Sequence, residues 1–238
     1  MPTISFRPTA EFAKEYPPIP AKTLIPDWIK NVKPHTTSGV ATIKKCPPMI
    51  DMITSGYYIR SLGNFNFSRY IKDGEEEISI LGDIERLVPC NNPPTSNITS
   101  NTYISLLSSH LFEEVPLTVN NIRKSVFKFL GYWTAKTPPG YSILYLPVAH
   151  FYNDFQILSA IVDADDDWEI PTAFPAFCNY HDEHKHKWSI KAGDPIALAI
   201  PFLRDEWDHE ILELDDSIPR TKANYNYREN FHKKKSFK

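Results

Sequence analysis

"WSIKAGDPIALAIPF", residues 188–202, decides the fold class. A short segment ending at Ile190 meets the turn Lys191-Ala192-Gly193-Asp194, and an apolar run starts at Pro195. Gly193 suits a turn position of positive φ, because a residue without a Cβ enters that region freely. The run 195–203 is apolar, opened by one proline and broken by Pro201, so it predicts a strand rather than a helix. The same signature recurs along the chain: "VATIK" (40–44), "GYYIRSL" (56–62), "EEISIL" (76–81), "SVFKFLGYWTA" (125–135), "YSILYLP" (141–147), "FQILSAIVD" (155–163), "IPTAFPAFC" (170–178) and "EILEL" (210–214). Short strands separated by turns predict a mainly β barrel or sandwich.

Proline usage points the same way. The chain has 21 Pro against 8 Gly. Proline removes a backbone donor and breaks helix interiors, so this load excludes a helical bundle. Helical patterning is confined to "TAEFAKEY" (9–16), "PDWIKNV" (26–32) and "TYISLLSSHLFEEV" (102–115), the last being the best helix of the chain. Three regions result: a proline-punctuated N-terminal arm (1–38) docked by Trp28 and Ile29, a single β-rich domain (39–218), and a polar, aromatic tail (219–238).

With 238 residues the chain is long enough for one sizeable core. A net charge of −3 demands neither nucleic acid nor an anionic membrane as partner, and the basic cluster "HKKKSFK" (232–238) reads as a solvated end. No apolar stretch approaches the roughly twenty residues of a membrane span, and the N-terminus lacks the pattern of a secretory signal. Cys46, Cys90 and Cys178 are odd in number and far apart, which argues for a reducing compartment. The expectation is a cytoplasmic protein.

"AIVDADDDW" (160–168) poses the chemical question, since Asp163, Asp165, Asp166 and Asp167 follow one another at the exit of an apolar strand. Clustered carboxylates suit a hard divalent cation. The bland reading is a polar turn in which Asp163 accepts backbone donors, and it is preferred because successive strand residues point to opposite faces. "HDEHKHKW" (181–188) offers His181 and His184 as further metal ligands beside Asp163 and Asp165, yet it has the character of a hairpin tip. Trp133, Tyr145 and Phe151 read as core or interface aromatics.

Four segments, in order, resemble the trimeric dUTPase and dCTP deaminase superfamily. "TSGYYIRS" (54–61) looks like its first motif, S-A-G-Y-D-L-R-S, and "PPGYSILYLPVAHF" (138–151) like the strand leading into its second. "AIVDADDDW" looks like the third, and "WSIKAGDPIALAIPF" like the fourth, F-x-V-K-x-G-D-R-I-A-Q-L. The strings "KTPPGYS" (136–142), "PIA" (195–197) and "IPF" (200–202) also resemble proteins of tailed phages of marine bacteria, which implies the cytoplasm of a host cell, or a virion, as the protein's place. The resemblance implies a β-clip, or small jelly-roll barrel, with residues 62–130 as a mixed insertion. It also implies a homotrimer or higher oligomer in which the arm (Trp28) or the tail (Tyr225, Tyr227, Phe231) packs on a neighbour.

Carried over residue by residue, the resemblance thins at the chemistry. Asp163 matches the carboxylate that activates water. The family's motif aspartate is Tyr58 here, its phosphate-handling arginine and serine are Val148 and Ala149, and its fourth-motif arginine and glutamine are Pro195 and Leu198. A triphosphate needs cationic and hydrogen-bonding partners to offset its charge. The expectation is therefore a protein without dUTP hydrolysis, holding a ligand near Tyr58, His150, Asp163 and Asp165, or serving as a structural, virion or host-interaction component. The alternative is a divergent nucleotide or metal-dependent hydrolase using Asp163 with Mg²⁺.

Overall fold

The computed structural model describes residues 1–72, 75–82, 107–109, 126–148, 150–151, 155–166, 174–178 and 187–213. Among them the protein is mainly β, and all its strand pairs are antiparallel. By contacts the chain divides into two compact units, one of residues 1–30 and 53–204 and the other of residues 31–52 and 205–238.

The first unit is built around a five-stranded sheet. Its strands are β2 (Ile19–Pro20), β3 (Tyr57–Arg60), β9 (Tyr141–Leu146), β11 (Ala160–Asp163) and β14 (Pro195–Leu203), in the spatial order β11-β9-β14-β3-β2. The turn before β14 is as the sequence predicts: Gly193 has φ +88° and β14 starts at Pro195. Pro201 sits in a central strand without breaking a shared ladder, because β3 stops pairing at Ala199 and β14 then pairs with β9 alone. The other sheets are β10 (Phe155–Ile157), β12 (Phe174–Cys178), β7 (Val126–Phe129) and β6 (Leu107–Ser109); β13 (Lys187–Ile190), β4 (Phe65–Lys72) and β5 (Glu75–Gly82); and the pair β1 (Ser5–Pro8) and β8 (Trp133–Lys136).

The sheets meet in one apolar core. Phe65 and Phe67 of β4, Phe129 of β7, Ile143 and Tyr145 of β9 and Phe174 of β12 are all buried in it. Its aromatics meet edge to face, Tyr145 with Phe174 at 5.2 Å and Phe65 with Phe129 at 5.9 Å, the arrangement that ring quadrupoles favour. The N-terminal strands join this body directly: β1 pairs with β8, and β2 with β3.

Three local expectations are corrected. Ile43–Lys45 in "VATIK" forms a 3-10 turn, closed by Lys45 N–H to Thr42 O at 2.8 Å, so the local i to i+3 bond takes the backbone donor that a strand would need. Residues 210–213 of "EILEL" are not in a strand. Within the expected helix 102–115, Leu107–Ser109 is a strand paired with β7, and the rest lies outside the described residues. The pairing edge of β7 overrides a modest helical propensity there. The helix Pro47–Thr54 has no counterpart among the sequence expectations: its two prolines occupy the first turn, where their missing N–H groups cost nothing.

In the second unit no described residue is buried. Residues 35–41 form a small hairpin, with the bridge His35–Ala41, Thr36 N–H to Val40 O at 2.8 Å and Gly39 at φ +80°.

Candidate functional site

Register places the chemistry of this protein. On the five-stranded sheet Asp163 of β11 stands opposite Ser142 of β9, and Ser142 stands opposite Phe202 of β14. One step further, Leu203 faces Tyr141, so the next residue, Arg204, emerges beside the turn that precedes β9. Its N–H donates to Gly140 O at 2.8 Å. Beyond β11 the chain folds back on the same turn: Thr137 N–H donates to Ala164 O at 2.8 Å, and Gly140 N–H donates to Asp165 Oδ2 at 2.8 Å. Gly140 has φ +84°, and that left-handed conformation lets the turn present its N–H and its carbonyl to two different partners.

The guanidinium of Arg204 closes the arrangement. Nη1 lies 3.1 Å from Asp163 Oδ1, and Nη2 donates to Asp165 Oδ2. Ser142 Oγ donates to the same Asp163 Oδ1 at 2.5 Å. The Asp163 side chain remains 60% exposed, whereas that of Asp165 is 11% exposed. Both carboxyls are held below their usual range, Asp163 chiefly by the Ser142 hydroxyl and then by Arg204, Asp165 chiefly by the Gly140 N–H. Arg204 is pushed up in turn by the two carboxylates.

The aspartate run therefore divides. Asp163 and Asp165 converge on one arginine, Asp166 is exposed, and Asp167 lies outside the described residues. Asp165, rather than Asp163, takes the backbone donor. Arg204, which no motif of the sequence connects with these residues, is the cation that both carboxylates share. A divalent cation at this point would meet a guanidinium already seated on both carboxylates, so the donor set does not suit Mg²⁺. Among the described residues no group of three His, Cys, Asp or Glu side chains is placed to hold a metal. His181 and His184 lie outside the described residues.

Tyr58 and His150 belong to a different place. Tyr58 of β3 stands opposite Leu198, which stands opposite Leu146. That row is four residues along β14 from the row of Asp163, roughly 13 Å away along the strand. Tyr58 is 1% exposed, its hydroxyl donates to Ile53 O at 3.3 Å, and burial pushes its pKa up to about 12. Phe151 packs edge-on against it at 5.3 Å. His150 precedes Phe151; its carbonyl accepts from Trp28 Nε1 at 2.7 Å, and burial lowers its imidazole pKa. Val148, Pro195 and Leu198 are buried. Ala149 lies outside the described residues.

No family model matches this chain, and no curated protein does. Among solved structures the chain is similar to a mutant dUTPase of Staphylococcus bacteriophage 80alpha with dUpNHpp, at 12% identity over 92% of each chain and a TM-score of 0.37. A TM-score of that size carries no weight for activity. No helix among the described residues is long and apolar enough to cross a membrane.

Proposed function

We propose that this chain is a dUTPase-like β scaffold of phage type that does not hydrolyse dUTP and acts by binding, as a self-associating structural, virion or host-interaction component. The observation that carries the reading is the state of Asp163. Its Oδ1 accepts from Ser142 Oγ at 2.5 Å and faces Arg204 Nη1 at 3.1 Å, and its pKa is lowered. A general base works best with a pKa near the operating pH, so an engaged and more acidic carboxylate is a poor activator of water.

The burial of Val148, Pro195 and Leu198 supports the same reading, since apolar side chains inside the body present nothing to a polyphosphate. The test is turnover of dUTP and dCTP by the purified full chain with Mg²⁺. The expected result is background hydrolysis that Asp163→Asn leaves unchanged. Turnover that Asp163→Asn abolishes overturns the proposal in favour of a divergent hydrolase.

A further inference from the structure

The unit of residues 31–52 and 205–238 combines large apolar side chains with the lack of any buried position among its described residues. Val40, Ile43, Trp207, Ile211 and Leu212 are all exposed, Trp207 and Ile211 to 88%. Residues 205–213 run without helix or strand. Two short local bonds shape them, Glu206 N–H to Asp205 Oδ1 at 3.0 Å and His209 N–H to Asp208 Oδ1 at 2.8 Å. A solvated linker is poor in large apolar residues. Leaving Trp, Ile and Leu in water forgoes the favourable transfer of their apolar surface.

Charge shows what fits. Residues 205–213 carry Asp205, Glu206, Asp208, Glu210 and Glu213 with no Lys or Arg, whereas residues 33–45 carry Lys33, Lys44 and Lys45 with no Asp or Glu. The basic segment is held in shape by its hairpin and by Thr42 Oγ1, which donates to Lys33 O at 2.5 Å. It exposes Val40 and Ile43 among its lysines. The two segments match in charge and apolar character, and the apolar side chains of both are still exposed in the single chain.

We propose that the acidic, apolar strap 205–213 of one copy docks on the basic hairpin 33–45 of a second copy, and the reverse, in a two-fold dimer in place of the trimer that the resemblance implies. Such a pairing is self-complementary and closes on itself. The two segments supply about 22 residues a side, within the 20–30 of a stable interface. The proposal deepens the self-association in the function proposed above, and its observations are independent of the loss of hydrolysis.

Sedimentation velocity on the full chain over a hundredfold concentration range tests it. The expected result is a dimer that weakens with added salt and loosens roughly tenfold or more in Trp207→Ser/Ile211→Ser, as when interface anchors are lost. Lys33→Glu/Lys45→Glu should loosen it as well, and adding Glu206→Lys/Glu210→Lys to that variant should restore it. The sites are exposed, and circular dichroism of each variant verifies that it folds. A monomer throughout the range overturns both the dimer and self-association. An oligomer indifferent to every variant, or a trimer, overturns the strap-and-hairpin pairing while leaving self-association intact.

Discussion

Arg204 Nη1 lies 3.1 Å from Asp163 Oδ1, and a strand to which neither residue belongs brings them together. Asp163 ends β11, Arg204 follows β14, and both strands pair with β9. The clamp thus joins the exits of two strands to the turn that enters the third, where Gly140 bonds Arg204 through its carbonyl and Asp165 through its N–H. A cation that offsets two carboxylates also takes up the one that a hydrolase would use as base.

The clamp should show in the pH dependence of stability. Asp163 and Asp165 have folded pKa values below the ordinary 3.8. Their contribution is therefore present above that value and lost as pH falls through the folded values. Melting temperatures of the native chain and Arg204→Gln, measured from about pH 6 to about pH 2, should differ most at the upper end and converge at the lower. A gap that persists undiminished in acid means that Arg204 acts by packing, not charge.

Gly56 should tolerate no side chain. It has φ +73°, and a Cβ there would stand 2.2 Å from Ala199 O, in the backbone of the strand with which β3 pairs. Gly39, at φ +80°, has nothing within 4 Å of its Cβ position. Gly39→Ala carries only the backbone term of about 1–3 kcal/mol. Gly56→Ala adds the clash and should exceed about 3 kcal/mol, in the range reserved for structural disruption. Denaturant midpoints of the two variants decide between shared backbone strain and close approach.

Tyr58 should behave as a core residue. Tyr58→Phe removes the bond to Ile53 O and should cost about 0.5–1.5 kcal/mol near neutral pH, while Tyr58→Ala should cost about 3–5 kcal/mol. With a folded pKa of about 12 against an ordinary 10.0, the native tyrosine contributes stability in full below pH 10 and loses it as pH rises toward 12. The advantage of the native chain over Tyr58→Phe should accordingly shrink between those limits. An advantage that grows in alkali places the hydroxyl in a solvated or cationic setting.

What the sequence disclosed and what it hid divide along physical lines. Gly193, Pro195–Leu203 and the position of Asp163 at a strand end were legible, because turn chemistry and apolar runs are local signals. The helix Pro47–Thr54 was hidden by Pro47 and Pro48, which look like breakers unless they happen to stand in a first turn. Arg204 was hidden for another reason. Its partners are set by the registers of β9 with β11 and of β9 with β14, and register depends on pairing across the chain rather than on neighbouring residues. The single usable hint was an arginine directly after a strand as long as β14. Motif order groups Tyr58 and His150 with the aspartates, whereas the sheet sets Tyr58 four residues along β14 from their row.

The clamp also implies what its removal would create. In the native chain the Arg204 guanidinium already occupies Asp163 and Asp165 together, so Mg²⁺ and Ca²⁺ should leave the melting temperature unchanged at this site. Arg204→Ala leaves two carboxylates side by side, with the Ser142 hydroxyl 2.5 Å from one of them and water free to complete a coordination shell. Hard cations take such oxygen sets, and a site with few protein ligands binds weakly, on the order of 10⁻³ M. Millimolar Ca²⁺ should therefore raise the melting temperature of Arg204→Ala and not of the native chain, and a further Asp165→Asn should abolish the gain. Hard cations are the informative probe, because imidazoles elsewhere in the chain do not favour them. If Ca²⁺ stabilises the native chain and Arg204→Ala alike, the cation binds elsewhere and the clamp does not set the metal preference of the aspartates.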